Sequence, residues 1–202
     1  MRTTGKGDMP AADDQILMRQ LQEGDQTAFE QIVRHWEQPM LNFFYRSVGD
    51  LDAAEDLRQD LFVRLYTYRS SYRGDGTFRA WLYQLATNLL RSYLRRPRPA
   101  FSLDGDTPDS ESERLEMHDQ APRASEIIQR QQSEQIVRQM LDGLSPDDRE
   151  ALVLRFFEGL PYGEICQALG IAESSAKSRV YRAIERLRKM IARQGLTASD
   201  LL

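Results

Sequence analysis

The stretch from Leu144 to Lys189, LSPDDREALVLRFFEGLPYGEICQALGIAESSAKSRVYRAIERLRK, constrains this chain most. It reads as helix, short helix, tight turn and long basic helix. Ser145 can cap the first helix with Pro146 in its first turn, where a residue lacking an N–H costs nothing. Leu152, Leu154, Phe156 and Phe157 give that helix its apolar side. Gly159 ends it, and Pro161 suits the start of the next. Ile165 and Leu169 stand four apart and share a face. Gly170 permits a left-handed turn, and a second helix begins near Glu173. Two helices joined by a short turn containing Gly make the helix-turn-helix pattern.

On the last helix, Ala176, Val180, Ala183, Ile184, Leu187 and Ile191 fall in one stripe at the α-helical period. Ser174, Ser175, Ser178, Arg182, Glu185 and Lys189 fall opposite, Arg179 and Arg186 flank one border, and Lys177, Tyr181 and Arg188 flank the other. Hydroxyls near the N-terminal end and cations along the exposed side suit a helix lying in a major groove. Arg bonds guanine bidentately, and Ser reads a base edge or a phosphate. The plainer reading, a solvated basic face, fits an amphipathic helix standing alone; the short helix and Gly turn before it tip the balance toward DNA.

The net charge of −4 over 202 residues argues against a general DNA coater. The cations gather instead at Arg91–Arg98 and Lys177–Arg193, as expected for local DNA contact aided by a partner. No apolar run approaches the length of a membrane span, and the N-terminus lacks the apolar core of a secretory signal. The single cysteine, Cys166, excludes an internal disulfide, fits a reducing cytoplasm, and reads as a small buried hydrophobe.

Residues before Asp13 read as disordered. Asp13 or Asp14 can cap a helix through Gln22. Asp25 or Thr27 starts another, carrying Phe29, Ile32, Val33, Trp36, Met40, Phe43 and Phe44, with Pro39 expected to kink or split it. Asp50 or Asp52 caps a third, running to about Tyr68, with Leu57, Leu61 and Leu65 as its buried stripe and Phe62 beside them. Asp56, Gln59, Asp60 and Arg64 lie away from the leucines. The loop Arg69–Gly76 holds Tyr72 between Arg69 and Arg73, and Thr77 can cap the following helix, TFRAWLYQLATNLLRSYLRR. Four arginines within eight residues close that helix, more than its dipole requires. An aromatic loop followed by a basic helix suits single-stranded nucleic acid, through base stacking and phosphate contact. Trp81 and Phe78 read as core. From Pro97 to Arg123 the chain is Pro-rich, with seven acidic residues against three arginines, the composition of a flexible tether. Helix returns near Ser125.

The expected fold is therefore all-α: two small helical domains, 13–97 and 125–194, joined by an acidic linker over 98–124 and followed by a tail from 195. No nucleophile–base pair, no zinc-ligand spacing around the lone cysteine and the two histidines (His35 and His118), and no phosphate-binding glycine motif are evident. No catalytic residue, metal or cofactor is expected.

These residues carry a further pattern. GDQTAFEQIVRHW, AEDLRQDLFVRLY, FRAWLYQLATNLLRSYLRR and the stretch quoted first, in that order, resemble the extracytoplasmic-function subgroup of sigma-70 family transcription initiation factors. The resemblance covers about Asp13 to Arg193. It implies that AEDLRQDLF docks on core RNA polymerase through Asp56, Gln59, Asp60 and Phe62. It implies that the loop with Tyr72 and Arg73, and the helix with Asn88, Arg91, Arg95 and Arg96, open and hold the minus-ten promoter strand. It implies that Ser174, Ser175, Lys177, Ser178, Arg179 and Arg182 read the minus-thirty-five element. Control by an anti-sigma protein is common in that subgroup. Ser175-Ala176 departs from the Thr-Val of many relatives. Two other readings stand beside this one: a free-standing helix-turn-helix regulator with a helical sensor domain, and a helical adaptor that ignores DNA.

Overall fold

A computed structural model describes residues 11–95 and 136–194. The described residues are helical, with no strand among them. The expected linker, the helical return near Ser125, Arg96 and the C-terminal tail lie outside the described residues.

Helix α1 spans Ala11–Gln22, starting two residues ahead of its expected caps, so that Asp14 sits within the helix. Helix α2, Gln26–Val48, starts where the Asp25 carboxylate accepts from the Thr27 N–H at 2.8 Å. It runs unbroken through Pro39, so the expected split does not occur. A proline inside a helix costs roughly 3 kcal/mol locally. Trp36, Met40, Phe43 and Phe44, all buried on either side of Pro39, hold the segment against the core and outweigh that cost. Gly49 closes the helix at φ 75°, a left-handed conformation that favours glycine.

Helix α3, Leu51–Thr67, is capped by Asp50, whose carboxylate accepts from the Ala53 N–H at 3.0 Å. Ala54, Leu57, Leu61, Phe62 and Leu65 are its buried face. A 3₁₀ turn over Arg69–Ser71 leads into the loop before α4, Phe78–Arg95. Thr77 caps α4 by accepting from the Ala80 N–H at 3.2 Å. Two rings of α2 pack edge-on against Tyr83 of α4, with Phe43 at 5.4 Å and Trp36 at 6.1 Å between centroids.

The second unit begins with helical residues 136–142, here α5. Helix α6, Pro146–Leu152, has Ser145 as its cap and widens into a π-helical turn over Val153–Phe157. That widening changes the expected apolar face. Leu152, Val153 and Leu154 turn inward, while Phe156 and Phe157 are 61% and 41% exposed. Helix α7, Tyr162–Leu169, ends at Gly170 with φ 66°, and α8 runs from Glu173 to Gln194. Ala176, Val180 and Ala183 bury the α8 stripe.

The two units share one continuous core rather than standing apart. Helix α4 packs along α7, and polar groups fasten the seam. The Thr87 hydroxyl donates to the Ala168 carbonyl at 2.8 Å. Glu158 accepts from the Tyr83 hydroxyl at 2.6 Å and pairs with Arg46 at 3.3 Å, while Arg79 donates to its carbonyl. Arg91 pairs with Glu150 at 2.9 Å, and Arg149 donates to the Ser47 carbonyl at 3.0 Å.

Candidate nucleic-acid interface

The turn between α7 and α8 is built as the sequence requires. Gly170 supplies the left-handed residue and its N–H closes on the Cys166 carbonyl. Ile165 and Leu169 anchor α7 from below, and Ala176, with no exposed surface, lets α8 approach closely. Cys166 is half-buried against the same core, and burial raises its thiol above the usual range. The first turns of α8 therefore project from the molecule with Ser174, Ser175, Lys177 and Ser178 exposed.

Those four groups are exposed, and two of them make contacts within α8. Lys177 pairs with Glu173 at 2.6 Å, which raises its pKa, and the Ser178 hydroxyl donates to the Ser174 carbonyl at 2.8 Å. Arg179 and Arg182 turn back toward the start of α6. Arg179 meets Asp147 at 2.7 Å, with its side chain 19% exposed. Arg182 forks onto Asp148 at 2.8 and 3.4 Å. Arg186 donates to the Gly143 carbonyl at 2.7 Å. Acids in the PDDRE segment look in the sequence like ordinary first-turn residues of a helix, so nothing there marks them as partners of α8.

The residues expected to hold a single strand divide into two groups. Asn88, Arg73 and Arg95 are exposed. Arg73 belongs to a loop that, with Ser71, Gly74, Asp75, Gly76, Thr77, Trp81 and Gln84, lines an open cleft of about 290 Å³. Gln167 of α7 forms its far wall. Tyr72 also lines that cleft; it is 7% exposed and packs on Trp81 and Phe78 at 5.2 and 6.0 Å, so it forms part of the cleft's inner wall. Burial raises its hydroxyl pKa. Arg91 is engaged by Glu150 and by the Leu169 carbonyl at 3.3 Å. Burial pushes the Glu150 carboxyl up to about 7, against the opposing pull of Arg91. Glu158 is raised for the same reason, desolvation, with Tyr83 and Arg46 acting against it.

On α3, Asp56, Gln59 and Asp60 lie together on the exposed face, with Val63 65% exposed beside them. Phe62 lies on the opposite side, 8% exposed and part of the core, so it stands apart from the three polar residues. Among the described residues no group of His, Cys, Asp and Glu could hold a metal ion, and no helix is long and apolar enough to cross a membrane.

Comparison with known proteins adds independent findings. Residues 32–99 match the family model "Sigma-70 region 2", and residues 134–187 match "Sigma-70, region 4". The chain is 31% identical to the RNA polymerase sigma-H factor of Pseudomonas aeruginosa, covering 88% of this chain and 93% of the relative. It is 32% identical to the ECF RNA polymerase sigma-E factor of Escherichia coli, covering 85% and 91%. Among solved structures, CnrH in complex with the cytosolic domain of CnrY superposes with a TM-score of 0.65 at 25% identity, covering 89% of this chain and 97% of that one. The order of the two matched regions, their spacing across nearly the whole chain and the shared fold agree: the chain belongs to the extracytoplasmic-function subgroup of the sigma-70 family, the promoter-specificity factors of RNA polymerase.

Proposed function

We propose that the exposed face of α3 and the projecting N-terminal end of α8 are the two working surfaces by which this sigma factor docks on core polymerase and reads the upstream promoter element. The observation that carries this reading is that both surfaces stand free on one molecule: Asp56, Gln59 and Asp60 on α3, and Ser174, Ser175 and Ser178 on α8. The cleft beside Arg73 and Trp81 has the size and mixed lining to take an extruded base, with Arg95 and Asn88 along its strand path. Extruding a base costs a few kcal/mol, which capture in such a cleft offsets in part. The chain needs no catalytic group or cofactor of its own for this work, and it acts in the cytoplasm, where polymerase is. An anti-sigma protein is the further partner; CnrH, of the same fold, is itself solved in complex with the cytosolic domain of another protein, CnrY.

Arg91 cannot hold a promoter strand while it is bound to Glu150, so DNA opening requires the two units to part at the α4–α7 seam. The test is run-off transcription with core enzyme over a random promoter library. Selective initiation at a two-part promoter is expected, and charge reversal of Asp56 and Asp60 to Lys is expected to weaken docking on core enzyme. A chain that binds an operator tightly without polymerase and starts no transcription with it is a free-standing regulator instead.

A further inference from the structure

The three cations at the reading face of α8 already have anionic partners within the same unit: Lys177 pairs with Glu173 of α8 itself, and Arg179 and Arg182 pair with acids of α6. Asp147 and Asp148 open α6, and α6 packs directly against α8. The Asp148 carboxylate accepts from both Nη2 and Nε of Arg182, the fork that a phosphate would otherwise occupy. Asp148 is held in place for this: its own N–H donates to the Ser145 hydroxyl at 3.3 Å, and its side chain is 15% exposed. Arg182 remains 57% exposed, within reach of an approaching duplex. The Asp147–Arg179 pair repeats the arrangement one turn away, and there the arginine is the more buried partner.

We propose that Asp148 is a built-in competitor of DNA: it positions Arg182, occupies its guanidinium, and holds down the affinity of the reading helix for any duplex. A phosphate must displace the carboxylate before Arg182 contributes. The chain consequently binds DNA weakly on its own and gains from α8 only when polymerase brings the upstream element to it. This inference rests on the promoter-reading assignment above and adds a residue that sets how strongly that reading binds.

The experiment uses the full chain and its complex with core enzyme. Binding to a fluorescent cognate duplex and to a scrambled one is measured over a range of salt. Asp148→Asn is expected to tighten both by about two- to fivefold at low salt, the range of an exposed ion pair. The slope of log affinity against log salt should steepen by about one, as for one added phosphate contact. The gain should disappear in an Arg182→Ala background, and Asp148→Glu should restore the wild-type affinity. Thermal melting of each variant keeps a folding loss distinct from a binding change. Unchanged affinity and slope in folded Asp148→Asn overturn the proposal. So does a gain of equal size without Arg182, which would make Asp148 a distant repulsive charge. Neither result touches the promoter assignment, which fails separately if the wild-type complex shows no preference for the cognate duplex.

Discussion

At the scale of single residues, Glu150 has the most measurable consequence. Its carboxyl is buried at the seam, facing Arg91 from α4, Arg179 from α8 and Asp147 from its own helix. Its pKa in the folded chain, about 7, lies above the ordinary value of 4.5. The raised value means that the folded chain prefers the neutral form. The favourable contribution is complete below the unfolded value and is lost as pH rises through the folded one. The difference between the two values corresponds to roughly 3 kcal/mol. Thermal melting from about pH 5 to about pH 8 should therefore show the wild type losing stability relative to Glu150→Gln, whose side chain does not titrate. Parallel melting curves at every pH would contradict this. Thr87 offers a second residue-scale test. Thr87→Val leaves the Ala168 carbonyl without its donor in a buried setting, at a cost of about 1–3 kcal/mol in denaturant unfolding.

At the scale of elements, the turn before α8 depends on a backbone conformation rather than on a contact. Gly170 sits at φ 66° with open space where a Cβ would stand. Gly170→Ala is therefore expected to cost about 1–2 kcal/mol from left-handed strain alone, measured by denaturant titration, with no packing defect. The elements are also where the sequence can be compared with the fold. Caps at Asp25, Asp50, Thr77 and Ser145 were legible because a short polar side chain before an apolar run has one common use. The helix-turn-helix was legible for a similar reason, since Gly170 and the α8 stripe act locally. Pro39 does not split its helix because its local cost is set against burial supplied by other helices. Phe156 and Phe157 misled because a π-helical turn shifts every later residue around the axis, and no residue type announces it. Phe62 sits with the buried leucines as its spacing suggests, and the Tyr72 ring packs inward, which no pattern within its loop announces. The acids facing α8 and α4 were beyond reach, since they pair with residues 32 or more positions away and carry no local mark.

At the scale of the whole molecule, the joined arrangement makes opening a measurable event. Glu158 is bonded by Tyr83, Arg46 and Arg79 at once, all from the other unit. Glu158→Ala should thus shift the free chain toward a more extended form. Small-angle scattering should record a larger radius of gyration, and a distance probe between α4 and α7 should record a longer separation. A variant as compact as the wild type would show that the Glu158 carboxylate is not needed to hold the units together.

Around the shared apolar core, the seam between the two units is laced by carboxylates, guanidinium groups, two hydroxyls and backbone carbonyls. Every one of these can take water as a substitute partner once the halves part. Parting such a joint strands no polar atom, so the resistance to opening comes from the apolar surface beneath, and the polar lacing marks where the halves register when they meet.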